Sequence, residues 1–205
     1  MIDIVWIIPV TIAVNTACVA AGLAAAKSYG MDVCLQRTAA PALLLVGTGL
    51  ECLAVGRQDG FATQALLIAA FGAVVSAAAL DAACGYVFDT VTFPCLLAMA
   101  AVATAAHALL PFLLGAGACA GCLAALYVLS RGRGLGLGDV KLACCIGGAI
   151  GVRYSVEALG VAFVLGGAYA SYLLVTKRAR RGDEMRFAPY MAAGMLAVVL
   201  HGAAV

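Results

Sequence analysis

The chain has 205 residues, 65% of them hydrophobic and only 11% charged, with a mean hydropathy of +1.10 and a formal net charge of +2. Soluble domains carry about 25% charged and about 45–50% apolar residues, and a domain of this size could not hide such an apolar excess from water. The composition excludes a water-soluble fold, and a bilayer is the only solvent that fits; the net charge gives no sign of a nucleic-acid partner, since the basic residues are thinly spread except at 177–186.

A spanning helix needs about 20 mostly apolar residues. In chain order the sequence offers eight such segments, at 4–26, 39–56, 62–80, 92–110, 112–130, 138–152, 156–176 and 188–204. The first is about 23 residues long and lacks a basic start, which reads as a retained helix; a cleaved signal peptide has a shorter apolar core. Segment 138–152 has only 15 residues, about 22 Å at helical rise, so it spans only by thinning the bilayer or extending into its flanks. The tight connection at Pro111 predicts that the fourth and fifth segments form an adjacent hairpin. The longest polar stretches, 27–38 and 177–187, run about a dozen residues, too few for a soluble core. The expected architecture is all-α and polytopic, with about eight transmembrane helices in one domain over 1–205 and no soluble domain.

Lys and Arg give the orientation. With eight spans both termini share one side. The loops on the other side and their borders hold Lys27, Arg37, Arg131, Arg133, Lys141, Lys177, Arg178, Arg180, Arg181 and Arg186, against only Arg57 and Arg153 opposite. Ten against two places the loop-rich side in the cytosol and both termini outside it.

Most of the nine cysteines lie in apolar runs, where a free thiol behaves as a small hydrophobe. Cys119 and Cys122 have the spacing of a redox or zinc pair, but no second pair or nearby histidine completes such a site. Gly147 with Gly151, and Gly134 with Gly138, have the spacing that lets helices approach closely, although glycine is also generally frequent in membrane helices.

Carboxylates at membrane depth are costly and usually functional. Of ten acidic residues, Asp3, Asp32, Asp59, Asp183 and Glu184 fall in loops or termini, and Glu157 sits four residues after Arg153 as a surface pair. Glu51, inside the second span, reads as an interhelical hydrogen-bonding group ahead of a functional acid. Asp81 directly follows one apolar run and Asp139 directly precedes another, so both fall at the cytosolic end of a helix. Two carboxylates meeting there cannot both stay ionised cheaply. The pair would share one proton, one member acting as general base towards water and the other polarising a carbonyl. The alternative is two unrelated interfacial aspartates.

The motifs bear on that choice. The string GLGLGDVKL at 134–142, with Gly136, Gly138, Asp139 and Lys141, resembles the Gly-x-Gly-Asp motif of the type IV prepilin peptidase family, intramembrane aspartyl proteases. The block DAACGYVFDTVTFP at 81–94 is similar to the family's first catalytic block, with Asp81, Asp89, Thr92 and Pro94 in place. MRFAPYMAAG at 185–194 resembles a third stretch near the last helix, through Phe187, Ala188, Pro189, Tyr190 and Gly194. The resemblance covers roughly residues 61–194, with the blocks in the family's order. Phe88 and Arg186 stand where the family usually has proline.

The resemblance implies that Asp81 and Asp139 are the catalytic pair of an endopeptidase that needs no cofactor and no metal. Its substrate would be a type IV prepilin or pseudopilin, cut between a basic leader and a hydrophobic helix at the cytosolic face of the plasma (inner) membrane. Asp89 reads as a solvated turn aspartate, and Lys141 either steadies a carboxylate or snorkels to headgroups. Classical bacterial members carry a domain with two cysteine pairs between the first two spans, which accompanies N-methylation. Here that loop is KSYGMDVCLQRT with Cys34 alone, so the expectation is a peptidase without methyltransferase activity. Two rivals remain: a proton-coupled transporter, which would need acids lining several helices through the bilayer, and a non-catalytic pilus-assembly protein.

Overall fold

The structure, a computed structural model, describes residues 3–31, 40–132, 135–178 and 185–202. Seven helices account for nearly all of them: α1 (Asp3–Ser28), α2 (Ala40–Val55), α3 (Phe61–Cys84), α4 (Asp89–Ala105), α5 (Leu109–Leu129), α6 (Leu137–Val175) and α7 (Ala188–Leu200). No strand occurs among the described residues. The reason is the solvent: lipid offers backbone groups no partners, so each segment must satisfy its own through helical bonds. α1, α3, α5 and α6 are long and apolar enough to cross a bilayer, while α2, α4 and α7 are apolar but shorter. Together they make the chain an integral membrane protein.

α3 is the axis of the bundle. It packs against α1, α2, α4, α6 and α7 and is buried on all sides from Ala70 to Asp81. By contrast, only about a quarter of the most apolar stretch of α1, α5 and α6 is buried. Their outer faces, with Leu110, Leu113, Val128 and Val164 exposed, present the apolar surface that lipid covers.

The sixth and seventh expected segments are continuous in α6, interrupted only at Gly151, where φ is 73° and ψ 174°. That backbone region is essentially closed to residues with a Cβ. The break turns the chain back sharply. Asp139, near the start of α6, lies within electrostatic reach of Asp81, which meets Ala188. Phe187, next to Ala188, packs on Phe163 with ring centroids 5.0 Å apart. A straight helix would put 139 and 163 about 36 Å apart along its axis, too far for that chain of contacts. Among the described residues helical stretches therefore fall near the eight expected segments, two of them in one element, and four of the seven helices are long and apolar enough to span.

The expected hairpin of the fourth and fifth segments is corrected. Their connection is short, with His107 at φ 55°, but α5 packs chiefly against α6. A Cβ on Gly115 would fall 2.1 Å from the Gly147 carbonyl oxygen and 3.1 Å from the Gly151 Cα. A Cβ on Gly147 would likewise fall 2.2 Å from the Gly115 carbonyl oxygen, so the small residues at 115 and 147 let two backbones touch, a contact worth more to α5 than its neighbour in sequence. Gly134, partner in the other expected small-residue pair, lies outside the described residues.

Candidate active site

One end of the bundle gathers all three motif blocks. Asp81 occupies the last turn of α3, which Gly85 closes in a left-handed conformation, its N–H donating to the Asp81 carbonyl over 2.8 Å. The side chain points inward and is 6% exposed. Among the described residues its Oδ2 has no hydrogen-bond partner, an expensive state for a buried acceptor.

Asp139 enters from the first turn of α6. Its Oδ2 accepts the Gly136 N–H over 3.1 Å, the carboxylate half of a capping box, which Gly136, lacking a side chain, does not complete. It too is buried, at 9% exposure. The two carboxyl groups lie within electrostatic reach of each other, with the Arg186 guanidinium and the Ala188 backbone amide also directed at Asp81. Gly138 is a spatial requirement, since a Cβ there would come 2.7 Å from the Val87 Cβ, while one at Gly136 would meet the Asp139 carboxylate at an ordinary 3.4 Å. The first and second blocks are thereby packed against each other.

The remaining site residues divide. Asp89 is exposed, as expected, but it begins α4 instead of lying in a turn, and its Oδ1 meets the Lys141 ammonium at 2.5 Å. That ammonium also lies 5.4 Å from the Phe93 ring centroid. Pro94 sits inside α4, and Pro189 in the first turn of α7, where a missing N–H costs nothing. Pro189 and Ala78 line a groove of about 360 Å³ between α2, α3 and α7, one turn from Asp81. A larger groove of about 730 Å³ between α1 and α2 is lined by none of the motif residues.

Arg186 and the Ala188 amide escaped the sequence reading. Arg186 was visible only as a departure from the expected proline; in the fold its guanidinium donates to the Ala82 carbonyl, tying the third block to the residue after Asp81. Glu51 lies elsewhere. Fully buried, its Oε2 accepts from Asn15 Nδ2 over 2.9 Å, and the same amide donates to Thr48. Cys119 is buried while Cys122 is exposed, so that pair does not face one site. Arg153 and Glu157 form the expected exposed pair at 3.7 Å.

An integral membrane protein with two inward-facing aspartates, brought together from the ends of different helices and flanked by glycine motifs, is the class this geometry defines. Residues 66–171, about half of the chain, match the type IV leader peptidase family. The chain belongs to that family. It is 30% identical over 173 residues to a prepilin leader peptidase/N-methyltransferase of Burkholderia pseudomallei (strain 1026b), covering 77% of this chain and 54% of the relative. It is 34% identical over 90 residues to a protein of the same description from Bacillus subtilis (strain 168), covering 44% of this chain and 36% of the relative. The chain thus spans about half the length, or less, of these curated relatives. No solved structure matches. The family match ends before the third block at 185–194, so the placing of that block beside Asp81 rests on the fold.

Proposed function

We propose that the chain is an intramembrane aspartyl endopeptidase that removes the basic leader of type IV prepilins or pseudopilins at the cytosolic membrane face. The observation that carries this reading is that Asp81 and Asp139, from α3 and α6, are both buried at one end of the bundle and within electrostatic reach of each other. Two carboxyl groups at short range keep one proton between them. The ionised member takes a proton from water as its oxygen attacks the scissile carbonyl carbon, while the protonated member hydrogen-bonds the carbonyl oxygen. The tetrahedral intermediate then collapses, the C–N bond breaks, and the departing nitrogen takes the proton. The unpartnered Asp81 Oδ2 suits Asp81 to the role of base, since its acceptor capacity is not already used.

The hydrophobic helix of the substrate enters laterally through the groove at Ala78 and Pro189, which sets its scissile end level with the aspartates. The basic residues of 27–38, 131–141 and 177–187 put this end in the cytosol, with both termini opposite. The short segment between α1 and α2 leaves no room for a two-pair cysteine domain, so the cleaved product is not N-methylated by this chain.

The test is co-expression with a prepilin bearing a basic leader, followed by a gel shift. Asp81→Ala and Asp139→Ala should each abolish leader removal while the protein still inserts in the membrane. Normal processing by either variant overturns the assignment, and methylated product in a host without another methyltransferase overturns the last part.

A further inference from the structure

Beyond the arginine–glutamate pair Arg153–Glu157 on a single helix, the described residues hold one ion pair, Asp89–Lys141. It joins the first residue of α4 to the fifth residue of α6, just after its first turn, and lies beside the aspartate pair without belonging to it. An exposed pair contributes little to stability, and these side chains are 55% and 34% exposed. Stability is a poor account of it; position is a better one.

We propose that Asp89 and Lys141 are positioning residues, their ion pair fixing the rotation of the first turn of α6 and so the direction in which Asp139 faces Asp81. The proposal rests on the proteolytic reading above. Lys141 follows Asp139 by two residues, about 200° around the helix. Asp139 therefore points to one flank of the turn and Lys141 to the other. On the inner flank Gly136 holds the Asp139 carboxylate at 3.1 Å; on the outer flank Asp89 holds the ammonium at 2.5 Å. Phe93, one turn beyond Asp89 on α4, holds it a second time through its ring face at 5.4 Å. The first turn of a helix has no earlier carbonyls to bind its N–H groups, so it is the part of α6 that most needs outside anchoring. Here the preceding glycines supply no side chains to do so.

The lever is long enough to matter. A carboxyl group about 6 Å from a helix axis moves about 1 Å when the turn rotates by about 10°. A misplacement of about 1 Å in a catalytic group costs on the order of 10²-fold in rate. The pair also occupies the ammonium: tied to Asp89, Lys141 is kept from turning inward as a counter-ion to the aspartates, which would quench the proton sharing the reaction needs.

The experiment reconstitutes the full chain in lipid vesicles with a prepilin bearing a basic leader and measures kcat, KM and Tm. Lys141→Met keeps the stem over Phe93 but loses the charge; Asp89→Asn keeps the shape but loses the charge. Each should lower kcat about ten- to hundredfold, with KM within about twofold and Tm almost unmoved. The double variant should be no worse than either single one. Lys141→Arg should retain most of the rate, and the exchanged pair Asp89→Lys with Lys141→Asp should recover at least about fivefold over the singles. Wild-type kcat in both single variants, additive losses, or a loss accompanied by a large fall in Tm would each overturn the proposal. Asp139→Asn is measured alongside. If it cleaves normally, the proteolytic reading itself fails; if it is inactive while Lys141→Met cleaves normally, only the positioning role fails.

Discussion

Two buried acidic sites share this bundle, and their surroundings differ in kind. Glu51 is met in mid-bundle by side chains alone: Asn15 donates to it and to Thr48 across α1 and α2. The Asn15 carbonyl oxygen lies against Gly72, nine residues before Asp81 and so about 13.5 Å away along α3. Asp81 and Asp139 lie at a helix end and a helix start, where backbone amides of Gly136 and Ala188 and the guanidinium of Arg186 gather around them. Among the described residues no second carboxyl group acts on Glu51, whereas Asp139 acts on Asp81. One carboxyl alone among amides and hydroxyls holds helices together; two that must divide a proton can perform acid–base chemistry. A buried acid in a membrane protein is therefore not informative until its neighbours are known.

The largest effect should come from the aspartates. Asp81→Asn and Asp139→Asn should each reduce leader cleavage at least about 10³-fold, and the double variant should be no slower than either, because groups that act as one unit lose their joint contribution once. Single-turnover cleavage in vesicles measures this. A double variant another thousandfold slower than the singles would mean that the two groups act independently.

The next effect separates the two sites through the fold. Gly151 has open space around it, so only its backbone conformation forbids a side chain. Gly151→Ala should destabilise the protein by about 1–3 kcal/mol, seen as a lower Tm and a smaller folded yield. Gly160→Ala, equally free of neighbours but within regular helix, should be neutral or slightly stabilising. The loss should fall on the α6–α7 side that builds the aspartate end, leaving the Asn15–Glu51 contact of α1 and α2 intact. Equal protection from hydrogen exchange at both places in Gly151→Ala would contradict that division.

The helical segments were legible because lipid demands long apolar runs and nothing else competes for the pattern. Their partners were not legible. α5 seemed bound to α4 by a short loop, yet Gly115 and Gly147 draw it to α6, and backbone proximity leaves no trace in hydropathy. The break at Gly151 was equally hidden, since one glycine among many in apolar helices carries no mark of its φ. At the candidate site the two aspartates stood out through their place at the ends of apolar runs and through the motifs around them. The Asp89–Lys141 pair did not, because residues on different helices reveal a pairing only in three dimensions. Arg186 was visible as an exception to a pattern, and its contact with the Ala82 carbonyl explains why a long cation serves where a proline was expected.

The smallest effect tests the other half of the comparison. Glu51→Gln preserves the size of the side chain and an oxygen to accept from Asn15, so cleavage should stay within about threefold of wild type. Glu51→Ala removes the acceptor and strands a buried amide. Polar contacts between membrane helices average about 0.6 kcal/mol, so Tm should fall by a small but measurable amount while kcat holds. The Glu51 Oε1 atom has no partner among the described residues, which leaves the contact half-made and makes a modest loss the right expectation. A Glu51→Gln variant as inactive as Asp139→Asn would show that mid-bundle charge takes part in the reaction. The distinction between the acid that joins helices and the acids that cut a peptide would then fail at its simpler end.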